Sequence, residues 1–223
     1  MNVFRDFWNW ITTSANWHGS DGIPHRLGEH VEYTLLALAL AAAVGLSLGL
    51  LTGHSRRGGL LVTGLSNAAR ALPTLGILYV LAAYRPFETT PVVLVLAALA
   101  LPPILVNTFT GIVQADPDAV DAARGMGMRP WQVLFQVEFP AALPLIWLGL
   151  RLAAFQVVST ATIAAYVSLG GLGNFIRTGL AIRDYPQVIG GAVITVVLAL
   201  VSLLIFSVLA RLTVSPGIKA RSS

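Results

Sequence analysis

The sequence predicts an all-α protein that crosses a membrane several times. Hydrophobic residues make up 56% of its 223 residues and charged residues only 11%. The mean hydropathy of +0.76 lies far outside the usage of soluble globular domains. A helix needs roughly 20 apolar residues to cross about 30 Å of hydrocarbon. Five runs are this long, and they predict spans at about 31–51, 60–83, 91–113, 145–169 and 188–209.

Residues 1–30 precede the first span and are expected to lie outside the hydrocarbon core. Phe4, Phe7, Trp8 and Ile11 follow the spacing of one helix face, which predicts a short helix lying in the headgroup region. A contact with an external protein is the alternative interpretation. The segment has no basic start followed by an uninterrupted apolar core, so we expect insertion through the first span without a cleaved signal.

Proline and arginine residues mark three of the five spans. Pro102 and Pro103 predict a kink in the third. Arg151 in the fourth can reach the interface with its long side chain, so we expect a structural role for it. Arg70 in the second lies three residues before Pro73. It either pairs with carbonyl groups or marks the inner mouth of a path, and its role stays open.

The remaining composition excludes several functional classes. The chain has no cysteine, which excludes disulfides and thiol chemistry. Its only lysine is Lys219, and no phosphate-binding loop is present, so we expect no ATP site on this chain. No histidine has carboxylates at a spacing that makes a convincing metal site, so we expect none. His30, beside Glu29 and Glu32, is expected to be a solvated start of the first span. The sequence has no basic patch interleaved with aromatic residues, so it gives no indication of nucleic-acid binding.

A polar segment, 114–142, separates the third predicted span from the fourth. Asp116 can accept hydrogen bonds from the free amide groups of a helix start, and Pro117 suits the first helical position. Asp118 then lies at the positive end of the helix dipole. These residues predict a short helix that begins at Pro117.

This short helix is expected to present a surface to a partner. The small side chains of Ala122 and Ala123 allow a partner to approach one face of the helix closely. Gly125 and Gly127 can end the helix at positive φ without a Cβ penalty. A second short helix is expected to begin at Pro130. An ordinary capped connector is the alternative interpretation of these residues.

The spacing within this segment resembles the EAA loop of permeases of ATP-binding-cassette (ABC) importers. The residues that match this pattern are Asp121, Ala122, Ala123, Gly127, Val137 and Pro140. The resemblance implies a cytoplasmic helix that docks in a groove of an ATPase subunit and transmits its closure to the membrane helices. Asp121 stands where that family usually has glutamate, and Phe139 where leucine is common.

The fourth span carries short polar side chains suited to a solute path. The predicted path residues are Gln156, Ser159, Thr160, Thr162 and Tyr166 of this span, and Asn107 near the inner end of the third span. They can bond to a solute without a fixed charge that would trap it, whereas close helix packing is the alternative. Gly170, Gly171 and Gly173 are expected to end this span, either as a helix terminator or as part of an outer gate.

Further motifs extend the resemblance over nearly the whole chain. Residues 71–76, 101–108, 160–165 and 170–173 are similar to permeases that import glycine betaine, choline, carnitine and related osmoprotectants. This resemblance implies a type I importer permease fold, paired with a second permease copy or paralogue. It also implies an ATPase dimer that carries ATP and Mg²⁺, an external substrate-binding protein, and no cofactor bound by this chain.

We therefore expect the permease subunit of an ABC importer for a compatible solute, with ATP hydrolysed by a partner chain and no catalytic residue here. A methionine-type permease is the first alternative. A self-sufficient channel or carrier is less favoured, because no predicted span holds a deep carboxylate for an ion relay. A membrane anchor for a soluble complex is the remaining alternative.

The distribution of lysine and arginine predicts the orientation in a bacterial or archaeal cytoplasmic membrane. With segment 114–142 inside, five spans place the N-terminus outside and a tail, 212–223, inside, around a permease domain at 31–211. The inner segments then hold Arg56, Arg57, Arg124, Arg129, Arg211, Lys219 and Arg221, and the outer segments Arg5, Arg26, Arg85, Arg177 and Arg183. The excess on the inner side agrees with the positive-inside rule.

Overall fold

The computed structural model describes residues 3–71, 73–85, 88–167 and 169–214, and all regular structure in these ranges is helical. The α-helices are α1 (Val3–Thr12), α2 (Ile23–His54), α3 (Gly59–Ala71), α4 (Thr74–Tyr84), α5 (Thr90–Val113), α6 (Pro117–Gly125), α7 (Pro130–Val133), α8 (Phe139–Thr160), α9 (Gly173–Ile182) and α10 (Tyr185–Thr213). The side chain of Arg70 and most of the predicted tail lie outside the described part.

Long apolar helices confirm the predicted fold class. Within the described ranges, four stretches are long and apolar enough to cross a membrane: Ile23–His54, Thr90–Val113, Pro130–Val167 and Tyr185–Thr213. They correspond to the first, third, fourth and fifth predicted spans. The fourth combines α7, a π-helical turn (Leu134–Glu138), α8 and a 3₁₀ segment (Ala161–Val167).

The second predicted span, 60–83, is not one helix. α3 ends at Ala71 and α4 begins at Thr74, with Pro73 at the N-cap of α4. A proline has no amide hydrogen to donate and its ring crowds the preceding turn, which ends a helix. The two helices have 13 and 11 residues, so neither alone has the roughly 20 residues of a span.

α2 begins at Ile23, well before the predicted start of the first span at residue 31. Pro24 occupies its first turn, a position that suits the fixed φ of proline. The first turns of α2 carry polar side chains such as Arg26 and Glu29, which kept this stretch outside the apolar run. Within the fold, Nη1 of Arg26 donates to Glu29, and Glu29 also accepts from the backbone N–H of Gly171.

The chain divides into two compact units. Unit 1 contains Met1–Leu38, Pro73–Ala97 and Phe155–Val201, and unit 2 contains Ala39–Leu72, Ala98–Ala154 and Ser202–Ser223. Each unit therefore combines segments that are distant in sequence.

In unit 1, Trp10 fixes α1 to the core. Its ring is 7% exposed and meets Phe175 edge to face, with ring centroids 5.3 Å apart, a favoured aromatic geometry. A Cβ at Gly190 would overlap the Trp10 ring, so only glycine leaves room there. Phe4 and Trp8 remain exposed. The predicted short helix is confirmed, while its place in the headgroup region stays a prediction.

In unit 2, α2 packs closely on α5 through a row of glycines. Gly45, Gly49 and Gly53 recur every fourth residue and share one helix face. A Cβ at Gly49 would lie 2.6 Å from Cβ of Thr108, and one at Gly53 would lie 2.7 Å from Cβ of Ile112. Small residues allow this backbone approach, which gives membrane helices their packing contacts.

The arginine and prolines of the middle spans also have defined surroundings. α5 continues through Pro102 and Pro103. Gly149 of α8 lies against α5, where a Cβ would come within 2.6 Å of the carbonyl oxygen of Pro103. Arg151 donates from Nη1 to Oγ of Ser207 at 3.4 Å, and its structural role stays a prediction.

Candidate functional site

The polar segment begins with the helix that the sequence predicted. Oδ1 of Asp116 accepts from the backbone N–H of Asp118 at 3.0 Å, and Pro117 takes the first helical position of α6. Arg124 lies in the last turn, where a positive charge suits the helix dipole. The predicted start at Pro117 and the second start at Pro130 are both confirmed.

The end of α6 depends on Gly127. This residue has φ +83°, and its N–H donates to the Arg124 carbonyl at 2.9 Å. The N–H of Met128 donates to the Ala123 carbonyl at 3.2 Å. These two bonds form the Schellman arrangement that closes a helix on a left-handed residue. Gly125 is still helical and has no positive φ, so its predicted role as a terminator is wrong.

The inner face of the polar segment is apolar. Ala123 is 2% exposed and packs with Ala115, Val120 and Val133. Val137 and Met128 pack against the same cluster. The expectation that both alanines face a partner is therefore wrong for Ala123. Its position one turn before Gly127 turns it inward, and Ala122 alone remains exposed.

The outer surface of the segment is partly apolar. We call it the loop surface and define it by the exposed side chains Asp121, Ala122, Met126, Trp131 and Phe135. Asp121 lies 3.8 Å from Arg124 in an exposed ion pair, which contributes little to stability. Met126 is 74% exposed and Trp131 55%. Exposed large apolar groups beside charges are typical of a protein-binding surface. Pro140 lies in the first turn of α8, directly after this segment.

A buried contact between a histidine and a carboxylate in the polar segment was missed by the sequence analysis. Glu138 is fully buried, and its Oε2 accepts from Nδ1 of His54 at 2.5 Å. Its Oε1 has no hydrogen-bond partner among the described residues. The π-helical turn Leu134–Glu138 inserts an extra residue per turn, a feature that often occurs at functional sites. His54 is the last residue of α2, so the pair joins α2 to the polar segment.

The predicted path residues fall into two groups. Asn107 belongs to unit 2, and its amide donates to the Pro103 carbonyl of its own helix at 2.8 Å. The others belong to unit 1, where α8 ends at Thr160 and continues as the 3₁₀ segment Ala161–Val167. The prediction of one regular helix to residue 169 is therefore wrong. Gln156, Ser159 and Tyr166 are exposed, and Thr160 and Thr162 are half-buried.

Ser159 and Thr162 line a cavity of 480 Å³ between α8, α9 and α10. Thr195 of α10 contributes a third hydroxyl, and the other lining residues are apolar. Each of the three hydroxyls donates to a backbone carbonyl three or four residues earlier in the chain, at 2.9, 3.0 and 2.8 Å. The oxygen atoms keep lone pairs as acceptors. The cavity therefore offers apolar walls and neutral oxygen atoms.

The glycine segment, Gly170–Gly173, is held by the first turns of α2. The N–H of Gly171 donates to Oε2 of Glu29 at 2.7 Å, and the N–H of Leu172 donates to Nδ1 of His30 at 3.3 Å. Gly171 has φ +79°. A Cβ at Gly170 would overlap the Glu29 carboxylate, and one at Gly173 the carbonyl of Thr162. The segment thus ends the span as predicted, and its role as an outer gate stays a prediction.

His30 is fully buried, so the expectation of a solvated position is wrong. The early start of α2 places it within the helix. Its ring is bonded on both nitrogens, since Nε2 also lies 2.9 Å from the Val158 carbonyl.

Comparison with known proteins extends over both parts of the site. The family of binding-protein-dependent transport system inner membrane components matches residues 43–218. The carnitine transport permease protein OpuCB of Listeria monocytogenes is 36% identical over 78% of this chain and 79% of its own. The glycine betaine/carnitine/choline transport system permease protein OpuCB of Bacillus subtilis is 31% identical over 87% and 90%.

A solved structure has the same fold. The MetNI methionine ABC transporter in an inward-facing conformation superposes with a TM-score of 0.76, at 19% identity. The match covers 86% of this chain and 96% of that one. At this identity the likeness establishes the fold alone.

Two glycines two residues apart provide a matched test of the α6 terminus. Both face open space, but only Gly127 has positive φ. We expect Gly127→Ala to destabilise the end of α6 by about 1 to 2 kcal/mol, because a Cβ is strained at positive φ. Gly125→Ala should stabilise it by about 0.5 to 1 kcal/mol. Hydrogen exchange of the α6 amides in the purified protein measures both. Equal effects of the two changes would contradict this assignment.

The His54–Glu138 pair is tested by removing one partner and then both. We expect His54→Leu to destabilise the protein by about 3 kcal/mol, because it leaves a buried carboxylate unpaired. The double change to His54→Leu and Glu138→Leu should recover most of that loss. Thermal unfolding in detergent gives both values. A double variant as unstable as the single one would contradict this explanation, because the unpaired carboxylate would then not be the cause of the loss.

Proposed function

Because the chain belongs to the family of binding-protein-dependent transport system inner membrane components, we propose that it is the permease subunit of an ABC importer for small quaternary ammonium solutes. The observation that carries this proposal is the similarity to osmoprotectant permeases over more than three quarters of the chain. The family match, residues 43–218, includes the polar segment and the cavity. The long apolar helices and the family description together support a multi-pass protein of the inner membrane.

The solute class follows from the chemistry that the named relatives share. Carnitine, choline and glycine betaine each carry a trimethylammonium group. This group is a bulky cation with a methyl surface and no hydrogen-bond donor. The apolar walls and hydroxyl oxygens of the 480 Å³ cavity suit such a surface, and the ring of Phe155 in its lining adds a cation–π contact. The described lining residues carry no charge that would trap the solute.

The proposed mechanism transmits motion and involves no covalent chemistry on this chain. The loop surface docks on an ATPase subunit, which binds ATP and Mg²⁺ and hydrolyses the nucleotide. Closure of two ATPases moves two copies of the segment, one from this chain and one from a second copy or paralogue. The rigid residues Pro140 and Pro144 carry that motion into α8 and its 3₁₀ extension. An external binding protein delivers the solute at the opposite side.

Orientation is part of the proposal. The five crossings predicted from the sequence put the N-terminus outside and segment 114–142 and the C-terminus in the cytoplasm. The excess of lysine and arginine in the segments that this arrangement places inside supports that orientation.

A methionine-type permease is the second candidate. The observation that favours it is the structural match to the methionine transporter. Its 19% identity supports the shared fold, whereas the sequence relatives favour quaternary ammonium solutes.

Uptake by the reconstituted complex separates these two candidates. We expect proteoliposomes that contain the permease, its ATPase and its binding protein to accumulate labelled glycine betaine, choline or carnitine. Excess unlabelled methionine should leave this uptake unchanged, because it lacks the trimethylammonium group. Uptake of methionine in place of all three would contradict the proposed solute class.

The loop surface is tested in the same vesicles by charge reversal. Asp121→Lys should lower uptake by on the order of tenfold, which corresponds to about 1.4 kcal/mol of docking free energy. Asp121→Glu is the matched control, since it keeps the charge and restores the residue usual in this loop. If both variants transport like the unchanged protein with the ATPase bound, the segment is only a connector.

A further inference from the structure

The inference concerns the buried His30 of α2, which contacts two points of the chain that are distant in sequence. Nε2 donates to the carbonyl of Val158, and Nδ1 accepts from the N–H of Leu172. A ring with one donating and one accepting nitrogen is neutral, so these partners fix a single tautomer. His30 is fully buried, so both contacts are shielded from solvent.

These two backbone points lie on either side of the irregular end of the fourth span. Val158 precedes the change from α8 to the 3₁₀ segment Ala161–Val167, and Leu172 belongs to the glycine segment that follows it. The 3₁₀ segment includes Thr162 and Tyr166 of the predicted path. Inside a membrane, irregular backbone persists only where protein groups satisfy it. His30 provides such groups on both sides of this segment.

A second side chain of α2 strengthens the contact. Oε2 of Glu29 accepts from Gly171 at 2.7 Å and from Nη1 of Arg26 at 2.9 Å. Arg26 also pairs with Asp21. The carboxylate that holds the glycine segment is therefore itself held, and its charge is compensated. Gly170 and Gly171 allow this approach, because a Cβ at Gly170 would overlap the carboxylate.

We propose that His30 is a positioning residue for the translocation path, which fixes the 3₁₀ segment by binding the backbone at Val158 and Leu172. This proposal rests on the proposed function, in which Ser159, Thr162 and their neighbours contact the solute. The arrangement differs from ordinary core packing because each ring nitrogen has a separate backbone partner. Loss of either bond should make the 3₁₀ segment more mobile without disturbing the loop surface.

Two conservative substitutions separate the two bonds. His30→Asn keeps an acceptor near the position of Nδ1 and loses the donor to Val158. His30→Gln keeps a donor near the position of Nε2 and loses the acceptor for Leu172. His30→Leu loses both. The matched control is Glu32→Gln, which changes an exposed side chain on the same helix.

Hydrogen exchange and uptake are measured on the same reconstituted complex. We expect each single-bond variant to speed exchange in the peptide covering 158–167 by about two- to tenfold, the range of one net hydrogen bond. His30→Leu should speed exchange in this peptide more than either single-bond variant. In the His30 variants, hydrogen exchange in residues 117–133 should stay unchanged. In the Glu32→Gln control, exchange should stay unchanged in both peptides. The maximal uptake rate should fall, while the concentration of loaded binding protein for half-maximal uptake stays the same.

Three results would overturn the proposal: unchanged exchange in 158–167 for His30→Leu, faster exchange throughout the chain including 117–133, or faster local exchange with an unchanged maximal uptake rate. Failure of the unchanged complex to take up any tested solute would contradict the proposed function instead. The exchange pattern would then still decide whether His30 holds the segment.

Discussion

A bilayer offers no water to backbone polar groups, and this constraint determines how the irregular parts of the chain are built. The long helices satisfy their backbone internally. Breaks in them need partners from elsewhere in the fold. At the end of the fourth span, His30 binds the carbonyl of Val158 before the 3₁₀ segment, and Glu29 binds the N–H of Gly171 in the glycine segment after it. The π-helical turn before α8 instead turns a carboxylate inward, where His54 binds it. Both histidines belong to α2, one near each end of that helix.

The polar segment and the cavity differ in their chemistry. In unit 2, the polar segment combines an apolar inner cluster with an exposed surface that carries Met126 and Trp131. In unit 1, the cavity beside Ser159 has apolar walls and neutral hydroxyls. The first is suited to binding a protein and the second to passing a small solute.

The spans carry long apolar side chains such as Leu204, which is 65% exposed as suits a lipid-facing position.

Local signals in the sequence predicted much of this arrangement. Hydropathy identified the long spans, and Asp116 with Pro117 identified the start of α6, because capping depends on residues only two or three positions apart. The loop spacing and the later motifs identified the family. The break at Pro73 was not predicted, because apolar residues on both sides of this proline give one continuous hydropathic run over 60–83.

The missed features depend on contacts between distant positions. His30 and Val158 are 128 residues apart, and His54 and Glu138 are 84 apart. A histidine between two glutamates indicates a solvated position until its partners are known. The inward turn of Ala123 likewise depends on where Gly127 ends the helix and on the cluster that packs beneath it.

The central claim is that this chain converts ATPase closure into solute access and does not conduct by itself. The most direct measurement is uptake of labelled choline by vesicles that contain the permease with its binding protein, with the ATPase either included or omitted. Our account predicts accumulation only when the ATPase and ATP are both present. Accumulation at the same rate without the ATPase would contradict it and would identify a self-sufficient carrier or channel.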